Sequence, residues 1–134
     1  MDEAIARART LVGVSRYYRD ATLEMAPLVV NCITLWQWVV VEAYDLLLPE
    51  RLLSLEHSVA QNELRAGDIV LTPQCPAWNG EDDWGHCGVL THEGTVIHAT
   101  RRRRKGNLVD GVREDLFRRF LWRGFLAARR LTFR

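Results

Sequence analysis

The feature that most constrains the fold is an apolar run over residues 31–41, which begins with Asn31 and Cys32. From Leu35 onward its apolar side chains recur at helical spacing, and asparagine is a favourable N-cap residue. We therefore predict a buried helix that begins at Asn31 and ends near Leu47, with Cys32 in its first turn. Unpaired N–H groups and the helix dipole favour a thiolate there, so Cys32 is a candidate nucleophile, although a lone cysteine in an apolar run is otherwise a core residue.

Length and composition indicate a single domain over residues 1–134, with 48% hydrophobic residues to fill its core. Three cysteines are an odd number, at spacings that suit neither a zinc ribbon nor a disulfide framework, so we expect reduced thiols. The longest apolar stretch is too short to span a bilayer, and the N-terminus lacks the basic start of a secretory signal. As the chain is written we expect no membrane span and a cytoplasmic location, or delivery by a phage or a secretion system.

Charge is distributed unevenly along the chain, although the net charge is only +1. Residues 1–100 contain 6 Lys and Arg against 14 Asp and Glu, whereas residues 101–134 contain 12 against 3. Five consecutive basic residues, from Arg101 to Lys105, are a candidate contact for an anionic partner. A single short run without interleaved aromatic residues is more often a solvated loop, so we do not expect nucleic-acid binding.

The pattern of the sequence changes near residue 64, from helical spacing to short strand-like runs. Turn signals at Gly67 and Gly94 border these runs, and residues 73–84 have the composition of a long loop beside a cleft. Helices followed by antiparallel strands predict an α+β domain. The predicted helices cover residues 4–12, 31–47 and 116–121, and the predicted strands cover residues 69–71, 88–90, 95–98 and 124–132.

Two histidines in strand-like segments have the spacing of a catalytic pair. A turn separates His86 from His98, so adjacent strands can place them side by side. An imidazole titrates near neutral pH, so His86 would remove the proton of Cys32 and later protonate a leaving amine, while His98 would fix the tautomer of His86. This triad requires no metal or other cofactor. Cys87 follows His86 along the strand and is therefore predicted to face away from the triad.

The motifs, in this order, resemble those of the NlpC-type cysteine peptidases, papain-like enzymes that cleave bacterial cell-wall peptides. The resemblance covers nearly the whole chain and ends with a closing strand over residues 125–131. The motifs that carry it are Val14-Ser15-Arg16-Tyr17, Asn31-Cys32-Ile33-Thr34-Leu35, Leu64-Arg65-Ala66-Gly67-Asp68-Ile69-Val70, His86-Cys87-Gly88-Val89-Leu90 and Val96-Ile97-His98-Ala99.

The resemblance implies a papain-like fold, in which N-terminal helices carry the nucleophile and pack on an antiparallel sheet or half-barrel that carries the histidines. It implies a thiol hydrolase, a cysteine peptidase or amidase whose substrate is a peptide or a muropeptide of peptidoglycan. The implied catalytic residues are Cys32, His86 and His98. The implied substrate-binding or oxyanion residues are Tyr17, Asn31 and Ile33.

The residues around the nucleophile depart from the family's pattern. Asn31 and Ile33 stand where the family usually has Asp and Ser, and Thr34 replaces a glycine. Loss of the Asp removes a charge-assisted hydrogen bond, so the usual substrate does not follow from the resemblance. Two alternatives stay open: an acyltransferase similar to lecithin:retinol acyltransferase, in which the histidine strand precedes the cysteine, and a catalytically retired domain that serves as a binding or interaction module.

Overall fold

The computed structural model describes residues 1–73, 84–104 and 107–132, and in this part of the chain two helices precede an antiparallel sheet. The predicted α+β class is thereby confirmed. The helices are α1 (Asp2–Thr10), α2 (Thr34–Tyr44) and the short α3 (Phe117–Phe120). The strands are β1 (Arg16–Tyr17), β2 (Val29–Val30), β3 (Ile69–Pro73), β4 (Trp84–Leu90), β5 (Thr95–Arg104), β6 (Asn107–Leu116) and β7 (Ala127–Arg129).

The main sheet has five strands in the order β6-β5-β4-β3-β7, and neighbouring strands are antiparallel. One face of the sheet packs against α1 and α2, around a core that includes Leu35, Trp36 and Ile97. The other face carries a smaller core around Val70 and Phe120. Successive strand residues point to opposite faces, so each strand contributes side chains to both cores. A separate parallel pair, β1 and β2, lies at the N-terminal side of α2.

Helix α2 is shorter than predicted at both ends. Its regular part begins at Thr34, two residues after Cys32, but the Leu35 N–H already donates to the Asn31 carbonyl oxygen at 3.2 Å, so Cys32 lies in the turn that opens the helix, as predicted. Assigned helix starts shift by a residue or two with the criterion used, and here the turn that precedes the helix holds the cysteine. The helix ends at Tyr44 because Asp45 adopts a left-handed conformation with φ of 54°, which terminates the helical hydrogen-bond pattern before residue 47.

The basic run lies in a strand, and the expectation of a solvated loop is wrong for its first four residues. β5 continues to Arg104, and it pairs with β6 from Thr95 opposite Leu116 to Arg104 opposite Asn107. No strand is predicted over residues 107–116, because charged residues and Gly111 interrupt the apolar pattern. Long-range pairing with β5 overrides that local sequence signal.

The remaining element bounds differ from the predictions by a few residues. Helix α1 begins two residues before the predicted start, β3 and β4 are longer than predicted, and the closing strand is confined to β7. Residues 74–83 of the predicted loop, with Cys75, and Lys105 of the basic run lie outside the described residues. In the described ranges, no helix combines the length and the apolar character needed to cross a membrane.

Candidate active site

The turn before α2 is organised by the side chain of Asn31. Its Oδ1 accepts hydrogen bonds from the backbone N–H groups of Ile33, at 2.9 Å, and Thr34, at 2.8 Å. Its Nδ2 donates to the carbonyl oxygens of Arg19 and Ala21, both at 3.1 Å. Asn31 therefore caps the helix, as its residue type predicts, and ties the helix start to the preceding loop. These four bonds occupy its amide within the protein.

Cys32 lies between this cap and strand β4, where several groups stabilise its thiolate. The pKa of Cys32 is lowered well below the ordinary thiol value, chiefly because the Cys87 thiol donates a hydrogen bond to the Cys32 sulfur. A hydrogen bond and the charge of His86 act in the same direction, whereas burial opposes them. The thiol is free, and its residue is partly exposed. These are the properties of a reactive cysteine.

His86 and His98 lie side by side, as their spacing predicts. Nε2 of His86 is 2.7 Å from Nδ1 of His98, and the two rings meet edge to face. His98 is 3% exposed, and its Nε2 is 2.8 Å from Oδ2 of Asp115, which is 9% exposed. Asp115 lies on β6, diagonally across from His98 and on the same face of the sheet, because the residue directly opposite His98 is Arg113.

This chain of hydrogen bonds determines which ring nitrogens carry protons. A carboxylate only accepts, so His98 must donate from Nε2 to Asp115. Its Nδ1 is then an acceptor when the ring is neutral, and it receives the proton of His86 Nε2. When His86 is neutral its Nδ1 is thus left without a proton and can take the proton of Cys32, after which the hydrogen bond and the charge of His86 stabilise the thiolate. The order is Cys32, His86, His98, Asp115, in which Asp115 fixes the tautomer of His98 and His98 fixes the tautomer of His86.

The two imidazoles are held in place by packing on the smaller core. The Phe120 ring lies 5.5 Å from the ring of His86 and 5.2 Å from the ring of His98, measured between centroids. Gly88 leaves room for this arrangement. A Cβ at Gly88 would overlap Val96 and would lie 3.0 Å from the Phe120 ring and 3.1 Å from Cβ of His98. The glycine of the His-Cys-Gly motif is therefore required by close packing.

Tyr17 forms one wall beside the nucleophile. Burial raises the pKa of its phenol, and the nearby Cys32 adds to the effect. The Tyr17 backbone N–H donates to Oδ1 of Asp110 on β6 at 2.6 Å. Close approach of the two segments also needs Gly111, because a Cβ there would overlap the carbonyl oxygen of Ser15. The wall that carries Tyr17 is thus attached directly to β6.

The backbone near Cys32 supplies a candidate oxyanion donor. In the described part of the chain the Cys32 N–H has no hydrogen-bond acceptor, whereas the Ile33 N–H is already bound to Asn31. Ile33 is partly buried against the core between the helices and the sheet. Of the predicted binding residues, Tyr17 lies beside the nucleophile, while Asn31 and the N–H of Ile33 are engaged in the cap. Among the described side chains, no group of three or more His, Cys, Asp or Glu residues is arranged to hold a metal ion.

Two residues of the site are missing from the sequence predictions. Cys87 is predicted to face away from the triad, and this is wrong: its Sγ lies 3.1 Å from the Cys32 carbonyl oxygen. Alternation along β4 does place the side chains of Cys87 and His86 on opposite faces of the sheet. The start of α2, however, packs against the face that carries Cys87. Asp115 has no local signal, because its role depends on the β5–β6 pairing, and β6 itself is not predicted.

The fold is that of the NlpC/p60 domains, which confirms the resemblance seen in the sequence at the level of fold. The NlpC/p60 domain of the peptidoglycan hydrolase SagA matches with a TM-score of 0.68 and 16% identity, over 97% of each chain. NlpC1 from Trichomonas vaginalis matches with a TM-score of 0.71 and 18% identity, over 95% of this chain and 42% of that one. The chain therefore spans less than half of NlpC1. No protein-family model and no curated protein matches the sequence.

A third similar structure shows that this fold does not always carry catalysis. RipD from Mycobacterium tuberculosis is a non-catalytic NlpC/p60 domain protein, described as an adaptation to peptidoglycan binding. It matches with a TM-score of 0.55 and 16% identity, over 83% of this chain and 93% of that one. The function of this chain therefore has to be argued from its own site.

Proposed function

We propose that this domain is a cysteine peptidase or amidase that hydrolyses an amide bond through a thioester on Cys32. The observation that carries the proposal is the hydrogen-bonded series in which His86 faces Cys32, His98 contacts His86 at 2.7 Å, and Asp115 contacts His98 at 2.8 Å. A structural thiol has no need of a buried His–His–Asp series. Together with the lowered pKa of Cys32, the geometry supports a nucleophile with its base and two orienting groups.

In the proposed reaction, the Cys32 thiolate attacks the carbonyl carbon of the amide and forms a tetrahedral oxyanion. The Cys32 N–H stabilises the oxyanion, and the neighbouring phenol of Tyr17 assists. The imidazolium of His86 protonates the leaving amine as the carbon–nitrogen bond breaks, which leaves a thioester. His86 then removes a proton from water, and the hydroxide releases the acid and regenerates the thiolate. Asp115 acts as a positioning residue, because it touches His98 and not the reacting atoms.

We propose peptides of peptidoglycan as the substrate class. This proposal is supported by the similarity in fold to a domain of a peptidoglycan hydrolase. The neutral Asn31, whose amide is occupied by four bonds within the protein, offers no charge to the ammonium group of a substrate. We therefore expect peptides without a free amine beside the scissile bond to be accepted at least as well as peptides that carry one.

The second candidate function is binding of peptidoglycan without cleavage. It is favoured by one specific observation, the non-catalytic character of the structurally similar RipD. The two functions separate in one experiment, in which wild type, Cys32→Ala and Cys75→Ser are incubated with muropeptides and a panel of other peptides and read by mass spectrometry. The Cys75→Ser variant is the matched control for replacing a cysteine.

Hydrolysis predicts product from wild type and from Cys75→Ser, and none from Cys32→Ala. Equal product from wild type and Cys32→Ala would rule out Cys32 as the nucleophile. Absence of product from all proteins, together with cosedimentation of all three with isolated peptidoglycan, would establish the binding function instead. Cleavage restricted to other peptides would retain the mechanism and exclude the proposed substrate class.

A further inference from the structure

The second cysteine of the site has no part in the proposed hydrolysis, yet it lies against the nucleophile. Cys87 is 0% exposed and its Sγ is 3.1 Å from the carbonyl oxygen of Cys32. The backbone N–H of Cys87 also helps to lower the pKa of the Cys32 thiol. Both cysteines are free thiols, and Cys32 is the more exposed of the two.

We propose that Cys32 and Cys87 form a peroxide-responsive pair, in which Cys32 is oxidised and Cys87 traps the oxidised sulfur as an intrachain disulfide. The site is a redox-modification site whose reactant is a hydroperoxide. The proposal rests on the partial exposure of the Cys32 residue and on the 3.1 Å approach of the Cys87 sulfur to the Cys32 carbonyl oxygen. It does not depend on which amide, if any, the domain hydrolyses.

The Cys32 thiolate attacks one oxygen of the hydroperoxide, the oxygen–oxygen bond breaks, and hydroxide or alkoxide leaves, so that the sulfur becomes a sulfenic acid. The Cys87 thiol then loses its proton, its sulfur attacks the Cys32 sulfur, and the sulfur–oxygen bond breaks to release water. The cysteines are oxidised by two electrons and the hydroperoxide is reduced by two. An external dithiol reverses the product by thiol–disulfide exchange.

The environment of the pair keeps the two thiols in different states before oxidation. The pKa of Cys87 is raised, because Cys87 donates its proton to the Cys32 sulfur and is buried, whereas the pKa of Cys32 is lowered. Cys87 therefore stays protonated while Cys32 carries the charge. Conversion of Cys32 to a neutral sulfenic acid removes that charge from beside Cys87, so Cys87 becomes easier to deprotonate at the moment when it must attack.

The immediate consequence is protection of the nucleophile. A sulfenic acid without a neighbouring thiol can be oxidised further to sulfinic and sulfonic acids, which thiols do not reduce. A disulfide with Cys87 stops oxidation at a reversible stage. The fold makes this reaction local, because the sulfur of the buried strand residue Cys87 lies 3.1 Å from the backbone carbonyl oxygen of Cys32, a partly exposed turn residue.

The test uses the 134-residue chain with Cys75→Ser, so that Cys32 and Cys87 are its only cysteines. The protein is treated with hydrogen peroxide, blocked with N-ethylmaleimide and read by intact mass and peptide mapping. We expect loss of two hydrogens, no maleimide adduct and a peptide that links residues 32 and 87. Iodoacetamide should no longer label Cys32, and labelling should return after reduction with dithiothreitol.

A second protein adds Cys87→Ala to Cys75→Ser and is checked for folding by circular dichroism. Under the same treatment we expect Cys32 to gain two or three oxygens and to lose iodoacetamide labelling irreversibly. In the protein that keeps both cysteines, the proposal would be overturned if Cys32 gained oxygen while Cys87 stayed a free thiol. This outcome can be read even if the Cys87→Ala protein fails to fold. Intermolecular disulfides without the intrachain link, or a link from Cys32 to Cys75 in wild type, would also overturn the proposal. Since no peptide substrate is used, failure of the hydrolase proposal is a separate outcome.

Discussion

Replacement of Asp115 tests whether the carboxylate acts on the nucleophile through two imidazoles. In Asp115→Ala the buried Nε2 of His98 loses the acceptor at 2.8 Å. His98 is then free to carry its proton on Nδ1, which faces His86. In that tautomer His98 donates to Nε2 of His86, so the proton of a neutral His86 has to lie on Nδ1. Nδ1 can then no longer accept the proton of Cys32. The variant is therefore expected to weaken the base without touching it.

The magnitude follows from the type of hydrogen bond. A hydrogen bond to a charged group contributes about 1.5–3 kcal/mol, and each 1.4 kcal/mol is a factor of ten in an equilibrium constant. Loss of the whole interaction should lower the fraction of active tautomer by roughly tenfold to a hundredfold at neutral pH. Asp115→Asn retains an acceptor oxygen but loses the charge, so a reduction of roughly threefold to tenfold is expected.

The assay is the rate of iodoacetamide alkylation of Cys32 as a function of pH, read by peptide mass, which needs no knowledge of the substrate. Only the thiolate reacts with iodoacetamide. The rate of alkylation therefore falls as the pH is lowered through the pKa of Cys32. Loss of Asp115 weakens the stabilisation of that thiolate by His86, so the midpoint should move to higher pH. The matched control is Glu56→Gln at an exposed carboxylate, which should leave the profile unchanged. An Asp115→Ala protein with native circular dichroism and the wild-type profile would refute the reasoning.

Three further substitutions test other parts of the site. Tyr17→Phe should lower kcat by roughly tenfold to a hundredfold if the Tyr17 hydroxyl assists the oxyanion. Tyr18→Phe, at the neighbouring exposed tyrosine, should leave kcat unchanged. Equal kcat values for the two variants would exclude this role of Tyr17. Gly88→Ala should lower the free energy of unfolding by about 1–3 kcal/mol because the new methyl group overlaps core side chains, and an unchanged urea midpoint would contradict the packing. Cys87→Ala should raise the pKa of Cys32 toward the ordinary thiol value, because the largest stabilising hydrogen bond is lost, and an unshifted alkylation midpoint would show that the bond has no such effect.

The parts of the fold that depend on local signals could be predicted from the sequence. Asn31 predicts a helix start because its side chain caps N–H groups within three residues, and the structure contains those bonds. The turn at Gly94, which has φ of 74°, predicts the hairpin that brings His98 back beside His86. Order along the chain and one tight turn were enough to bring together three of the four groups in the series.

The parts that depend on distant pairing could not be predicted. Strand β6 carries the charged residues Arg113, Glu114 and Asp115 in succession, a pattern that on its own indicates exposure. In the structure Glu114 meets Arg9 of α1 at 2.9 Å, on one face, while Asp115 meets His98 on the other. Glu114 and Asp115 each have a partner from an element far away in sequence, and a local pattern does not reveal such partners.

Strand β6 supplies neither the nucleophile nor the base, but it holds two opposite sides of the site. Asp110 fixes the backbone of Tyr17, and Asp115 fixes the imidazole of His98. The distance between Tyr17 and the hydrogen-bonded series of His86 and His98 is therefore set by the part of β6 that separates Asp110 from Asp115. A deletion of one residue between Asp110 and Asp115 would turn every later side chain of the strand to the other face of the sheet. Asp110 and Asp115 could then no longer hold Tyr17 and His98 at the same time. A change in the length of this short stretch of β6 would therefore disturb the contacts of Tyr17 and of His98 at the same time.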